Sequence, residues 1–194
     1  VIKKILSFEE ILKGCVKNDN GCKEMMYKSF YGYLMGIILR YTKNIADSEE
    51  LVNDSFIKIF KNISSYKSPQ NTEELHKSFK GWIAQIASRT AIDKLRSSKA
   101  QFYVDDLSEE EHPASPVSIV SELHVNDIMK LLNHLPDTQR LVFNLYEVEG
   151  FSHDEISKML TIPESSSRVY LTRAKNKLRT LYLSTMVHSY EKNG

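Results

Sequence analysis

Glycine and proline are scarce in this chain, with seven and five residues among 194. That argues against an all-β fold, whose many short strands need turn residues at each reversal. Cysteine is scarcer still: Cys15 and Cys22 are the only two. They are too few for a disulfide framework and lack partners at zinc-ligand spacing, so reduced thiols of a cytoplasmic protein are expected. No apolar run approaches the ~20 residues that span a bilayer, so direct membrane insertion is not expected. The opening Val1-Ile-Lys-Lys-Ile lacks the apolar centre of a signal peptide. Val1 is not an initiator methionine, so a trimmed or altered N-terminus is expected. There is no Gly-rich phosphate loop and no nucleophile elbow. His124 and the run His153-Asp-Glu155 are the only faintly catalytic features, and the run sits in a helix cap rather than at metal-ligand spacing. Neither catalysis nor a cofactor nor a metal is expected.

What the chain does have is charge arranged in blocks. The formal net charge is only +1, yet residues 76–101 carry Lys77, Lys80, Arg89, Lys94, Arg96 and Lys99 against Asp93 alone. Residues 102–127 then carry Asp105, Asp106, Glu109, Glu110, Glu111, Glu122 and Asp127 with no Lys or Arg. Residues 163–181 return to Arg168, Arg173, Lys175, Lys177 and Arg179 against Glu164. Such a basic–acidic–basic alternation points to two nucleic-acid-facing segments joined by an anionic linker.

Helical periodicity runs through most of the rest, with no strong strand signal and no repeat. Ser7-Phe-Glu-Glu10 reads as a capping box opening a helix to about Val16. A long helix is expected over 22–43, with Met26, Phe30, Tyr33, Leu34, Ile37, Ile38 and Tyr41 at helical spacing. Residues 47–63 form an amphipathic helix burying Leu51, Val52, Phe56, Ile59, Phe60 and Ile63. Residues 64–78, with Pro69-Gln-Asn71, read as a polar loop, and a helix follows over 79–96. Segment 97–118, with Pro113 and Pro116, reads as a linker. Helices are then expected over 119–134, 137–148 and 153–160, the last behind a second capping box, Ser152-His-Asp-Glu155. Thr161-Ile-Pro163 makes a tight turn into a final helix over 164–183. The fold class is all-α, as two small helical domains joined by a flexible acidic linker.

Two helices look like nucleic-acid readers. On a wheel at ~100° per residue, Ser167, Leu171, Ala174, Leu178 and Leu181 of the last helix share the face toward a partner helix. Ser165, Val169, Thr172 and Asn176 point away. Arg168, Lys175 and Arg179 flank one side, and Arg173 and Lys177 the other. Small groups able to approach base edges, with cations on both shoulders for phosphates, suit a major-groove helix. The helix over 79–96 is apolar around most of its circumference, leaving a stripe of Gln85, Arg89 and Arg96 with Lys77, Lys80 and Lys99 nearby. Trp82 neighbours Phe79 and Ile86, so core packing is expected over a base-stacking role. Asp47, Glu49, Glu50 and Asp54 leave two accounts open. They offset a helix macrodipole, or they form a docking surface for a basic partner.

Together these residues resemble a bacterial RNA polymerase sigma factor of the extracytoplasmic-function (ECF) type in the sigma-70 family. Asp47-Ser-Glu-Glu-Leu-Val-Asn-Asp-Ser-Phe56 is similar to the family's core-binding stretch, and Phe79-Lys-Gly-Trp-Ile-Ala-Gln-Ile-Ala87 with Ala91-Ile-Asp-Lys-Leu-Arg96 to its minus-ten-binding helix. Leu135-Pro-Asp-Thr-Gln-Arg140, Gly150-Phe-Ser-His-Asp-Glu-Ile-Ser157, Arg168 and Leu171-Thr-Arg-Ala174 resemble its promoter-reading domain. Ser167 stands where an apolar Val is common, Tyr170 where Arg is frequent and Arg89 where Asn is frequent. Segment 66–78 is longer than the compact family pattern.

The resemblance implies region 2 over 1–100, an acidic linker over 101–118 and region 4 over 119–194, the smallest sigma architecture. It implies core-polymerase docking through Asp47, Glu49, Glu50 and Asp54. Minus-ten binding would use Lys77, Lys80, Gln85, Arg89, Arg96 and Lys99, with segment 66–78. Minus-thirty-five binding would use Ser165, Ser166, Arg168, Val169, Thr172, Arg173, Lys175 and Lys177. The acidic linker would thread the polymerase's RNA path or serve as a plain tether. Implied partners are core RNA polymerase, promoter DNA and an anti-sigma factor, of a kind that can be membrane-anchored. The setting would be a stress or cell-surface signalling response. The competing expectation is a stand-alone helix-turn-helix regulator.

Overall fold

The computed structural model describes residues 6–42, 44–98 and 131–191. It divides into two compact units, Val1–Ser98 and Lys99–Gly194. Every regular element among the described residues is helical. The linker, most of the expected helix over 119–134, and Lys99 lie outside the described residues.

In the first unit, α1 (Phe8–Val16) opens on the expected capping box: Glu10 N–H donates to Ser7 Oγ and Ser7 N–H to Glu10 Oε2. Such a cap contributes about 0.5–2 kcal/mol. A turn through Asn18, at φ 65°, leads to α2 (Asn20–Ile38), whose N-cap Asp19 accepts from Cys22 N–H. Gly14 permits the crossing, since a Cβ there would lie 2.2 Å from Cys22 Sγ. The helix ends before Lys43, the expected boundary, because the chain must turn into the next cap. Thr42 Oγ1 donates to Ile38 O and meets Ser48 Oγ, and Asn44 caps α3 (Ile45–Asn62) by accepting from Ala46 N–H.

A single 3-10 turn (Ile63–Ser65) follows, then α4 (Thr72–Ser98). This shortens the expected 64–78 loop: Asn71 Oδ1 accepts from Glu73 N–H, and the helix runs seven residues ahead of Phe79. Helix α2 packs against α1, α3 and α4. The core is made by Met26, Phe30, Leu34, Val52, Ile59, Phe79, Ile83 and Ala87, each at most 2% exposed. Phe79 is the hub of an aromatic cluster, with ring centroids 5.3 Å from Phe8, 5.4 Å from Phe30, 5.3 Å from Tyr66 and 5.7 Å from Trp82.

The second unit contains α5 (Asp137–Phe143), a π-helical turn (Asn144–Val148), α6 (His153–Leu160) and α7 (Glu164–Glu191). The π turn replaces the expected straight run to Val148. Glu149 N–H reaches back to Asn144 O, and Gly150 takes φ 77° before Phe151 N–H bonds Leu145 O. The Ser152 capping box starts α6. Thr161 sits in the left-handed region at φ 57°, and Ser157 O–H donates to Ile162 O to close the turn. Both α5 and α6 pack on α7. The apolar centre draws on Leu132, Leu135 and Ala174, with Phe143 and Leu178 packed against them.

Candidate nucleic-acid interfaces

Helix α7 divides its faces as the wheel predicts. Ser167, Leu171 and Ala174 are buried, while Ser165, Arg168, Val169, Thr172, Lys175 and Lys177 are exposed. Ser166 and Arg173 are half-buried. Arg168 and Lys175 are among the cations that are already paired. Arg168 Nη2 lies 2.5 Å from Glu164 Oε1, one turn back, and Lys175 Nζ lies 2.6 Å from Glu147 Oε1 of the π turn. These are exposed pairs worth up to about 1 kcal/mol, easily exchanged for phosphate oxygens.

Behind α7 lies a polar contact that the sequence did not announce. Ser167 is fully buried, and its Oγ is 2.9 Å from His153 Nδ1. The imidazole stacks on Tyr146 with centroids 4.4 Å apart. Burial, then the nearby Arg168 and Lys175 charges, push the His153 pKa below its ordinary value, against an opposing contribution from Glu164. The feature that looked faintly catalytic is thus part of the helix-turn-helix packing.

In the first unit, α4 is buried on most sides: Phe79, Ile83, Ala84, Ala87, Ser88, Thr90, Ala91 and Ile92 are all inside. Lys77, Arg89 and Arg96 are exposed, and Lys80 and Gln85 are half-buried. Lys80 sits over the Tyr33 ring at 5.3 Å. The stripe is less purely cationic than expected, because Asp93 lies on it. Its carboxylate is 3.4 Å from Arg96 Nη2 and 4.0 Å from Lys58 Nζ of α3. Trp82 is half-buried against Tyr66 and Phe79, in keeping with core packing. Tyr66 O–H also donates to Leu75 O, pinning the short segment before Thr72 onto α4.

Asp47, Glu49, Glu50 and Asp54 are all exposed on α3. Because the helix starts at Ile45, only Asp47 falls in its first turn. The macrodipole acts within that turn, so it does not account for Glu50 or Asp54. Glu50 Oε2 lies 3.8 Å from Lys94 Nζ, linking the acidic helix to the basic one. Tyr31 faces this region, its hydroxyl pKa raised by burial and then by Glu49. Ile57, which the sequence reading passed over, is 66% exposed one turn beyond Asp54. Among the described residues no helix is long and apolar enough to cross a membrane.

Comparison with known proteins agrees with this layout. The family described as sigma-70 region 2 matches residues 26–101, and that described as sigma-70, region 4 matches residues 126–178. The chain is 24% identical over 159 residues to the ECF RNA polymerase sigma factor SigM of Bacillus subtilis (strain 168), covering 81% of this chain and 93% of that one. It is 26% identical over 152 residues to ECF RNA polymerase sigma factor SigW of the same strain, covering 72% and 78%. A solved structure of the sigma factor RpoE with the anti-sigma factor NepR from Bartonella quintana aligns at 20% identity and a TM-score of 0.47, covering 82% of this chain and 95% of RpoE. The chain belongs to the sigma-70 family, which comprises transcription initiation factors rather than enzymes. Within that family it is a member of the extracytoplasmic-function group.

Proposed function

We propose that the chain binds core RNA polymerase and directs it to specific promoters in a stress or cell-surface response, itself catalysing nothing and acting in the cytoplasm. Region 2 spans 1–100, the acidic linker 101–118 and region 4 119–194. Asp47, Glu49, Glu50 and Asp54 dock on the polymerase, with Ile57 as an apolar contact among them. Lys77, Lys80, Gln85, Arg89, Arg96 and Lys99 hold the minus-ten element as it opens. Extruding a base costs a few kcal/mol, which replacement contacts must offset. Ser165, Ser166, Arg168, Val169, Thr172, Arg173, Lys175 and Lys177 read the minus-thirty-five element as duplex. An anti-sigma factor, membrane-anchored or soluble, holds the chain inactive until a signal arrives.

The observation that carries this reading is α7: its apolar seam is consumed by α5 and α6, while Ser165, Val169 and Thr172 stay open between cations. A mobility-shift assay with and without core polymerase tests it. Promoter-specific binding is expected only with core enzyme. Tight dimeric binding to a palindrome by the chain alone would instead identify a stand-alone regulator. Glu50→Lys is expected to weaken co-purification with core enzyme by about tenfold or more, as removing a charge complement does at interfaces. Undiminished co-purification would remove α3 from the docking face.

A further inference from the structure

Three elements of the second unit meet at one imidazole: the π turn through Tyr146, α6 through His153 and α7 through Ser167. His153 is 9% exposed and Ser167 is fully buried. The buried side chains of α6 and α7 otherwise include the apolar Ile156, Leu160 and Leu171. Apolar packing tolerates small slips of one helix over another; a buried hydrogen bond is directional and costly to leave unmade. Ser167 also lies between Ser166 and Arg168, beside the groups that face outward. A helix spin of ~20° moves even a Cα, ~2.3 Å from the axis, by ~0.8 Å, and the ends of long cations by several times more.

We propose that His153 and Ser167, backed by Tyr146, are positioning residues that fix the rotation of α7 and thereby set which base pairs of the promoter duplex it selects. This rests on the reading of α7 as the duplex-reading helix. It also gives a physical role to Ser167, which departs from the apolar residue common at that place: the hydroxyl has a partner, and the partner has a ring to lean on.

The charged and titratable groups around the imidazole are Arg168, Lys175 and Glu164 of α7, Tyr146 and Glu147 of the π turn, and Asp154 and Glu155 of α6. A third positive charge beside Arg168 and Lys175 is unfavourable, so the neutral ring is the working form. His153 has a lowered pKa in the folded state. Folding stability from this group is therefore complete above the ordinary histidine value and is lost as pH falls through the lowered one. The charged ring can still donate from Nδ1 to Ser167 Oγ, but it places an unfavourable charge in the packed site, so α7 is held less firmly over the same range.

The test uses holoenzyme assembled from the full chain and core polymerase, on the preferred minus-thirty-five duplex and on single-base-pair variants of it. Ser167→Ala and His153→Phe are expected to shrink discrimination between these duplexes by about tenfold, a typical coupling for groups in direct contact. His153→Asn, which keeps a hydrogen-bonding atom near Nδ1, is expected to retain most of it. Thermal unfolding of each variant is followed in parallel. Where a variant does not fold, the wild-type chain supplies the reading: its discrimination is expected to decline as pH falls through the lowered His153 pKa, a decline that Ser167→Thr preserves. Discrimination unchanged in folded Ser167→Ala and His153→Phe, or independent of pH in the wild type, would overturn the proposal. Arg173→Ala and Thr172→Ala separate this from the broader reading. If neither alters duplex binding, α7 is not the reader; if both do while the pair variants do not, only the pin fails.

Discussion

Helices α4 and α7 are of similar length and both carry cations, yet they are built on opposite plans. Helix α7 buries one seam, through Ser167, Leu171 and Ala174, and leaves Ser165, Arg168, Val169, Thr172, Lys175 and Lys177 exposed. Helix α4 packs against α2 and α3, and over 79–92 only Gly81 and Arg89 are exposed, with Lys80 and Gln85 half-buried. A duplex reader must enter a groove and so needs a broad free face. A helix that handles opened strands needs a rigid body behind a limited set of contacts. The contrast teaches that cationic charge alone says little about a helix's task; the width of its free face says more. It also separates two kinds of positioning, by large aromatic packing in the first unit and by one buried hydrogen bond in the second.

The largest test of that contrast is in the cores. Phe79→Ala removes the ring at the centre of the aromatic cluster and is expected to cost about 3–5 kcal/mol. The chain's single tryptophan, Trp82, touches Phe79 and so reports the first unit directly by fluorescence in a urea titration. Ala174→Leu, which overfills the tight seam of α7, is expected to cost about 1–3 kcal/mol, since overpacking is relieved by small backbone shifts. Hydrogen exchange over 164–184 checks it. A larger loss at Ala174 than at Phe79 would reverse the assignment of the more deeply packed helix.

Next comes the reading face itself. Arg173→Ala or Arg168→Ala is expected to weaken promoter-specific binding by holoenzyme by about 1–3 kcal/mol where a base contact is lost, and by less where only phosphate is touched. The two cases differ in kind. A lost base contact relaxes specificity at one position, whereas a lost phosphate contact lowers affinity for all sequences and flattens the salt dependence. Unaltered transcription from both variants would move the reading surface off α7.

The same contrast explains what was legible in the sequence. A helix with one buried face writes its period plainly: in α7 Ser167, Leu171 and Ala174 are inside and Ser165, Val169 and Thr172 outside as expected, while Asn176, Leu178 and Leu181 are half-buried and the helix runs to Glu191, beyond the expected end at 183. Both capping boxes, Ser7–Glu10 and Ser152–Glu155, were equally plain because the signal is local. Helix α4 was harder. Its first turns over 72–78 looked like loop because Pro69 and the polar run around it suggest one, while the cap at Asn71 and the buried Leu75, one turn before Phe79, were weak signals. The π turn at Asn144–Val148 had no signature, since one extra residue per turn leaves the apolar pattern nearly intact. Pairings between helices, such as Glu50 with Lys94, Lys58 with Asp93 and His153 with Ser167, depend on tertiary approach and cannot be read from spacing. The acids of α3 were visible, but their two meanings parted only when the helix start at Ile45 left Glu50 and Asp54 beyond the reach of the helix end.

The smallest expected effect is the one that compares the two cationic faces most directly. Each holds an acid against its cations: Asp93 beside Arg96 and Lys58 in the first unit, Glu164 beside Arg168 in the second. All of these groups are about half exposed, so Asp93→Asn or Glu164→Gln is expected to change stability by no more than about 1 kcal/mol. Each also releases a cation, and a released cation that meets a phosphate steepens the dependence of binding on salt by about one unit of log-log slope. If α4 and α7 both face nucleic acid, both substitutions steepen that slope in holoenzyme, Asp93→Asn on opened promoter and Glu164→Gln on the duplex element. A change at Glu164 with none at Asp93 would mean that Arg96 and Lys58 stay with α3 and α4 during promoter opening. The stripe would then act through Lys77, Gln85 and Arg89, and the acid on it would be structural.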